Sequence, residues 1–191
     1  FGGYSPSPTS RTERMDFDND TAKTVTKGSL TQARYSQNAA AGNVSAGHMI
    51  GGYDGGSPGR TSTHDRMDYA NDSTNLESKA NIPHDTTGAG ATGNKDFGYW
   101  WGGRNDAYGP SGRYMSFVHR VNYSNSTVTA MPPSTTQGNG RAASGNLNYG
   151  WWMGAQQTET LPYLRRWVYR LDYANDTDAA SPKGDLMYNL Y

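Results

Sequence analysis

The sequence predicts an all-β chain built from four repeats of about fifty residues, and three recurring markers carry that prediction. A unit reading Arg, apolar, Asp or Asn, aromatic, any residue, Asn starts at Arg14, Arg66, Arg120 and Arg170, at spacings of 52, 54 and 50. A small-residue doublet keeps the same period at Gly2-Gly3, Gly51-Gly52, Gly102-Gly103 and Gly154-Ala155. Gly-Asn recurs at Gly42-Asn43, Gly93-Asn94 and Gly145-Asn146. Markers in constant order at one period are the signature of a repeat protein. No stretch carries a 3.6-residue apolar period, so helix should be almost absent.

The elements of one repeat come in a fixed order. Tyr35 to Ala41, rich in small residues, reads as a first strand. From the Asn of Gly-Asn to the first doublet residue the distance is always 8, so a tight turn feeds a second strand of fixed register. Phe97 to Gly102 and Tyr149 to Gly154 are such strands, with rings on both faces, as a strand covered on both sides requires. From the doublet to the Arg the distance varies between 11 and 17, which marks a loop. A third strand runs through Ser116 to Tyr123 and Trp167 to Tyr173, with Phe117, His119, Val121 and Tyr123 on one face. The Asn-Asp-Thr piece after it reads as a hairpin turn. A polar fourth strand, such as Thr74 to Ala80, completes the unit.

Composition agrees with layered β structure. Leu, Ile, Val and Phe number only 8, 2, 6 and 4 among 191 residues, a level at which disorder competes. Against disorder stand a zero net charge, from 17 basic and 17 acidic residues, and a load of 14 Tyr, 5 Trp and 4 Phe, whose rings bury large areas. The balanced charge offers no basic excess for nucleic acid or an anionic membrane. Zero cysteines exclude disulfides, thiol catalysis and Cys-ligated zinc. No run approaches the roughly 20 apolar residues that span a bilayer, so no membrane insertion is expected. No signal peptide is read at the start, and a chain that begins at Phe1 is expected to be a processed product or part of a larger chain.

Four antiparallel strands per fifty residues is the arithmetic of a β-propeller blade, with a β-solenoid as the alternative. Residues 1–191 then form one domain, with repeats near 1–34, 35–86, 87–138 and 139–191. Three first strands serve four blades. A closed ring needs the C-terminal segment to supply the fourth beside Phe1, and otherwise further blades lie outside.

The order of strand, Gly doublet, variable loop, strand ending in an acid-aromatic pair, turn and strand resembles the kelch repeat across the whole chain. One departure is plain: the Trp that kelch blades place about six residues past that aromatic is absent at Asn75, Thr129 and Ala179. The wording from Arg170 to Leu186 is similar to kelch-like repeats of marine phage virion and tail proteins. That resemblance implies a non-enzymatic structural or adhesion module of a phage tail or tail fibre. It would be located in the virion and would meet other virion proteins or a host-surface protein or glycan. A cellular or secreted protein-binding scaffold, extracellular in location, is the alternative. A glycan-active enzyme is the weaker third, since no unique acid pair stands outside the repeats. Homo-oligomerisation stays open.

Individual residues sort accordingly. Asp16-Phe17-Asp18-Asn19-Asp20 resembles a calcium loop, but the Asp68 and Asp172 repeats lose the middle carboxylate, so turn chemistry is expected and no metal or cofactor. His48, His64, His84 and His119 occupy different repeat positions without ligand spacing. Copper-oxidase kelch propellers need a cysteine, which is lacking here. Arg14 with Asp16, Arg66 with Asp68, Arg120 with Asn122, and Arg170 with Asp172 lie two apart on one strand face. Their recurrence points to a structural ladder between blades, not to catalysis. Trp100, Trp101, Trp151 and Trp152 read as packing more than as a ligand platform. The sequons at Asn19, Asn43, Asn71, Asn122, Asn125 and Asn175 reflect turn preference. Partner contacts are expected in the loops after the doublets: Tyr53, Asp54 and Arg60; Arg104, Asn105, Asp106, Tyr108 and Arg113; Gln156, Gln157, Glu159, Tyr163 and Arg165.

Overall fold

Strands pair with their neighbours in sequence, so each sheet belongs to a single repeat. The computed structural model describes residues 2–4, 6–19, 21–35, 39–57, 59–105, 113–157 and 164–188. In the first repeat β1 (Glu13–Arg14) and β2 (Val25–Thr26) form a two-stranded sheet. In the second, β3 (Ala39–Gly42), β4 (Ala46–Ile50), β5 (His64–Asp68) and β6 (Glu77–Lys79) form a four-stranded antiparallel sheet in that order. The third repeat pairs β7 (Gly90–Gly93), β8 (Phe97–Trp101), β11 (Val118–Asn122) and β12 (Val128–Met131), with a small hairpin of β9 (Arg104–Asn105) and β10 (Arg113–Tyr114) inserted after the doublet. The fourth pairs β13 (Ala142–Gly145), β14 (Tyr149–Gln156), β15 (Leu164–Asp172) and β16 (Ser181–Asp185). The fold is all-β. The helical pieces among the described residues are 3₁₀ turns at Phe17–Asn19, Tyr69–Asn71 and Tyr173–Asn175.

Two side-chain devices set the strand ends. Asn43, Asn94 and Asn146 each accept two backbone N–H groups with Oδ1, from the residues two and three positions ahead, at 2.9–3.1 Å. That local bonding reverses the chain between first and second strands. At the far end of the third strand, the Asp or Asn of the Arg unit caps the next turn. Asp16, Asp68, Asn122 and Asp172 accept the backbone N–H two residues on, at 2.9–3.1 Å. In three repeats the product is a 3₁₀ turn where a plain hairpin turn is expected from sequence; the third repeat has a shorter connection, in which Ser126 N–H donates to Asn122 O at 2.8 Å.

Packing between repeats uses the rings. The Tyr that three of the four Arg units carry folds back over a glycine in its own second strand: a β-carbon would lie 2.7 Å from Tyr69 Oη at Gly47, 2.6 Å from Tyr123 Oη at Gly98, and 2.7 Å from Tyr173 Oη at Gly150. Each of two such tyrosines then faces the preceding repeat. Tyr123 stacks on His48 at 5.2 Å and Tyr173 on Tyr99 at 4.9 Å. Tryptophans stitch the same boundaries. Trp100 Nε1 donates to Ala39 O at 3.1 Å and Trp152 Nε1 to Gly90 O at 3.0 Å, both from nearly complete burial. Trp101 is fully buried against Trp152 and Tyr169, whereas Trp151 is half-buried beside Tyr149. First strands sit at one edge of each four-stranded sheet and pack in succession, β3 on β7 and β7 on β13.

Candidate functional site

Second strands run toward the doublets and third strands away from them. The post-doublet loops therefore gather at one end of the sheets, and the Asn turns and Asp caps at the other. The doublet end is built on backbone. Gly2-Gly3, Gly51-Gly52 and Gly102-Gly103 all hold positive φ, between 62° and 137°, a region that side chains strain to adopt. In the fourth repeat only Gly154 does, at 61°, and Ala155 continues β14 through a register shift. The second glycine donates to the last residue of its own repeat: Gly3 to Arg34 O at 3.0 Å, Gly52 to Thr86 O at 2.8 Å, and Gly103 to Gly138 O at 2.7 Å. Arg34, Thr86 and Gly138 have nothing in common as side chains, because the bond is made by the main chain. Sequence could not reveal it.

On this frame several predicted loop residues meet. Tyr53 forms a bridge with Arg60 and its Oη donates to Gly56 O at 2.7 Å. Its ring meets Tyr35 edge-on at 5.4 Å, and Tyr35 meets Tyr4 at 4.8 Å, so three rings from two repeats form a row. Asp54 accepts from Gly56 N and from Gln32 Nε2, which holds the loop. Arg60 lies beside Arg104 and Asp85; burial first, then Arg104, lowers its pKa. Burial raises the Asp85 carboxyl, while its own amide, Arg60, His84 and Asn105 oppose that rise. Asn105 donates to Asp85, and Arg104 covers the Tyr114 ring at 5.3 Å. Gln156 exchanges backbone bonds with Asn139, and Arg165 lies on Gln157 and the Trp167 ring. Asp106, Tyr108, Glu159 and Tyr163 lie outside the described residues, and of Arg113 only the backbone is described, paired with Asn105.

Sequence reasoning missed Tyr4, Tyr35 and Asp85 in this cluster. Asp85 had a signal: fifty-two residues before and after it stand Ala33 and Gln137, so it is an acid outside the repeat pattern. The histidines also meet, which their sequence positions conceal. His48 Nδ1 lies 2.8 Å from His64 Nε2 across β4 and β5, and His64 Nδ1 lies 3.2 Å from Ala80 O. His84 stacks on Phe117 at 4.2 Å, with His119 at 5.9 Å. Among the described residues no group of three or more His, Cys, Asp and Glu could hold a metal ion.

The ladder residues take other partners than expected. Asp16, Asp68, Asn122 and Asp172 act as caps, and two of the arginines reach into the next repeat. Arg14 Nη1 pairs with Asp72 Oδ2 at 2.8 Å, and Arg120 Nη1 with Asp176 Oδ2 at 2.6 Å. Arg120 also lies over Phe97 at 4.7 Å and Arg170 over Tyr149 at 4.3 Å. Arg66 has no ion pair among the described residues. It lines an open cleft of about 490 Å³ at the cap end, between the second and third repeats.

No known family and no curated protein matches the chain. Solved structures do, 165 chains of them. One is the structure of YjhT, superposed with a TM-score of 0.73 at 12% identity over 97% of this chain and 67% of that one. The chain shares the fold of YjhT. At that identity the likeness speaks for architecture alone.

Proposed function

We propose that the chain is a non-enzymatic adhesion or structural module, built as a kelch-like β-propeller and carried on a phage tail or tail fibre. In this reading the doublet-end loops grip another virion protein or a protein or glycan of the host surface. The observation that carries it is the convergence of Tyr4, Tyr35, Tyr53, Arg60 and Arg104, from loops of three repeats, at one end of the sheets. Tyr and Arg are the side chains that most often anchor interfaces. The doublet bonds hold the backbone beneath them, which lowers the ordering cost of association. Recurring acids and amides are meanwhile engaged as caps and turns, which favours framework over chemistry. Supporting the propeller are sheets confined to single repeats and first strands packed in succession; a solenoid instead runs its sheets through successive coils.

The test is adsorption of the labelled chain to candidate host cells and to isolated tails. Tyr53→Ala combined with Arg104→Ala should lower binding by about tenfold or more, given the usual weight of such anchors. Replacing 104–113 by a short Gly-Ser linker should do the same without loss of folding. Undiminished binding removes these loops from the contact surface. Hydrolysis of a glycan panel, abolished by Asp85→Asn, would put an enzyme in place of the adhesion module.

A further inference from the structure

The boundary between the second and third repeats lacks two groups that other arginines of this series use. Arg14 and Arg120 each reach a carboxylate four residues past the cap of the next repeat, Asp72 and Asp176. The corresponding residue for Arg66 is Ser126, held at φ 60° in a shortened turn. Arg66 stands opposite Glu77 and Arg170 opposite Ser181, eleven residues on, but Arg120 stands opposite Thr129, only nine on. The ring is missing too. Arg120 lies over Phe97 and Arg170 over Tyr149, whereas the second repeat has Ala46 at that position. Loss of a ring and of an acid at one boundary leaves a cleft of about 490 Å³, lined by Arg66, Ala46, Phe97, Asn122 and Ser45 among others.

We propose that this cleft binds a small carboxylate ligand, seated on the Arg66 guanidinium where Asp72 and Asp176 sit at the neighbouring boundaries. The guanidinium fork matches a carboxylate bidentately. Asn122 and Ser45 also line the cleft, and neither Asn122 Nδ2 nor Ser45 Oγ makes a hydrogen bond among the described residues, so both remain as donors for the ligand's second oxygen. The cleft's own acid, Asp96, is held by Lys95 Nζ at 2.8 Å. Glu77, opposite Arg66 in β6, is paired with Lys79. Neither fills the place of the missing aspartate. The site lies at the opposite end from the adhesive loops and does not depend on their role.

Amide and arginine side-chain NMR shifts, read while the whole chain is titrated at constant ionic strength, test the proposal. The probes are sodium glucuronate, N-acetyl-aspartate amide, and sodium chloride as control. Saturable shifts of Arg66 Nε–H and Ser124 N–H are expected with the carboxylates. Tighter binding of glucuronate assigns a sugar-borne carboxylate, and tighter binding of N-acetyl-aspartate amide a peptide-borne one. Arg66→Gln should weaken binding by about tenfold or more, and so should Ser126→Asp, which returns a carboxylate to the chain itself in a residue type that tolerates positive φ. Equal shifts with chloride, or undiminished carboxylate binding in either variant, overturn the proposal.

Discussion

The boundary between the third and fourth repeats and the one between the second and third share a plan but differ in closure. At the former, Tyr99 stacks on Tyr173 and donates to Asp176 Oδ2 at 2.7 Å, while Arg120 reaches the same oxygen at 2.6 Å. Stack, hydrogen bond and ion pair meet on one buried carboxylate. At the latter, His48 replaces Tyr99 and turns inward to His64, Ser126 replaces Asp176, and Arg66 is left facing a cleft. The difference separates what these two boundaries share from what varies between them. The tryptophan stitch and the ring stack occur at both boundaries, whereas the polar network occurs at one.

The shared stitch should dominate stability. Trp152→Ala removes a fully buried ring and its bond to Gly90 O, and Trp100→Ala does the same at the other boundary with Ala39 O. Each should cost about 3–5 kcal/mol, measured by urea unfolding. A cost near zero at Trp100 alone would mean that the open boundary is not packed as the closed one is. Next in size is the polar network. Asp176→Ala leaves Arg120 and the Tyr99 hydroxyl without their acceptor and should cost about 2–3 kcal/mol, whereas Ser126→Ala at the open boundary should cost well under half of that.

The histidine that replaces Tyr99 makes the open boundary sensitive to acid. Burial first, and His64 second, lower the His48 pKa to about 3 from 6.5. Between those two values the unfolded chain binds a proton that the folded chain does not. Stability is therefore full above about 6.5 and falls as pH drops toward 3, with a slope of about 1.4 kcal/mol per pH unit from this group. Urea midpoints at pH 7.5 and pH 5 check it. His48→Gln should reduce the slope, and an unchanged slope would assign the acid sensitivity to other groups, among them His64 and His119, whose pKa burial also lowers.

How far these features were legible in sequence depends on whether side chains or backbone make them. The Gly-Asn turn was readable because Asn43, Asn94 and Asn146 do the bonding themselves. The doublets were readable because positive φ requires glycine. The backbone stitch through Arg34, Thr86 and Gly138 left no mark, since any residue can offer its carbonyl. The ladder was half legible: recurrence pointed to a structural role for the arginines, but the partner of Arg14 and Arg120 lies four residues past the cap of the next repeat, not two along the same strand, and Arg66 has no such partner among the described residues. The His48–His64 pair was hidden because a variable loop sets the register between their strands. Tyr108 and Tyr163, expected as loop contacts, fall outside the described residues and gain no structural account.

The smallest effect separates the two arginines themselves. In the expected ladder Arg66→Ala is costly because it strands Asp68. The structure removes that reason, since Asp68 is exposed and its Oδ1 accepts the Ala70 N–H at 3.0 Å. Arg66 itself is only half-buried, and the acid opposite it, Glu77, is exposed and paired with Lys79, so it is not stranded. Truncating it should change stability by no more than about 0.5 kcal/mol, as for a surface position away from any network. Arg120 differs because its loss would leave Asp176, a buried residue, with the Tyr99 hydroxyl as its one remaining side-chain donor among the described residues. Its truncation should cost about 1–2 kcal/mol, in the range of a partly buried charged hydrogen bond. Thermal melts of the two variants side by side check the contrast. Equal costs would mean that Arg66 has a carboxylate partner after all and that the two boundaries are closed alike.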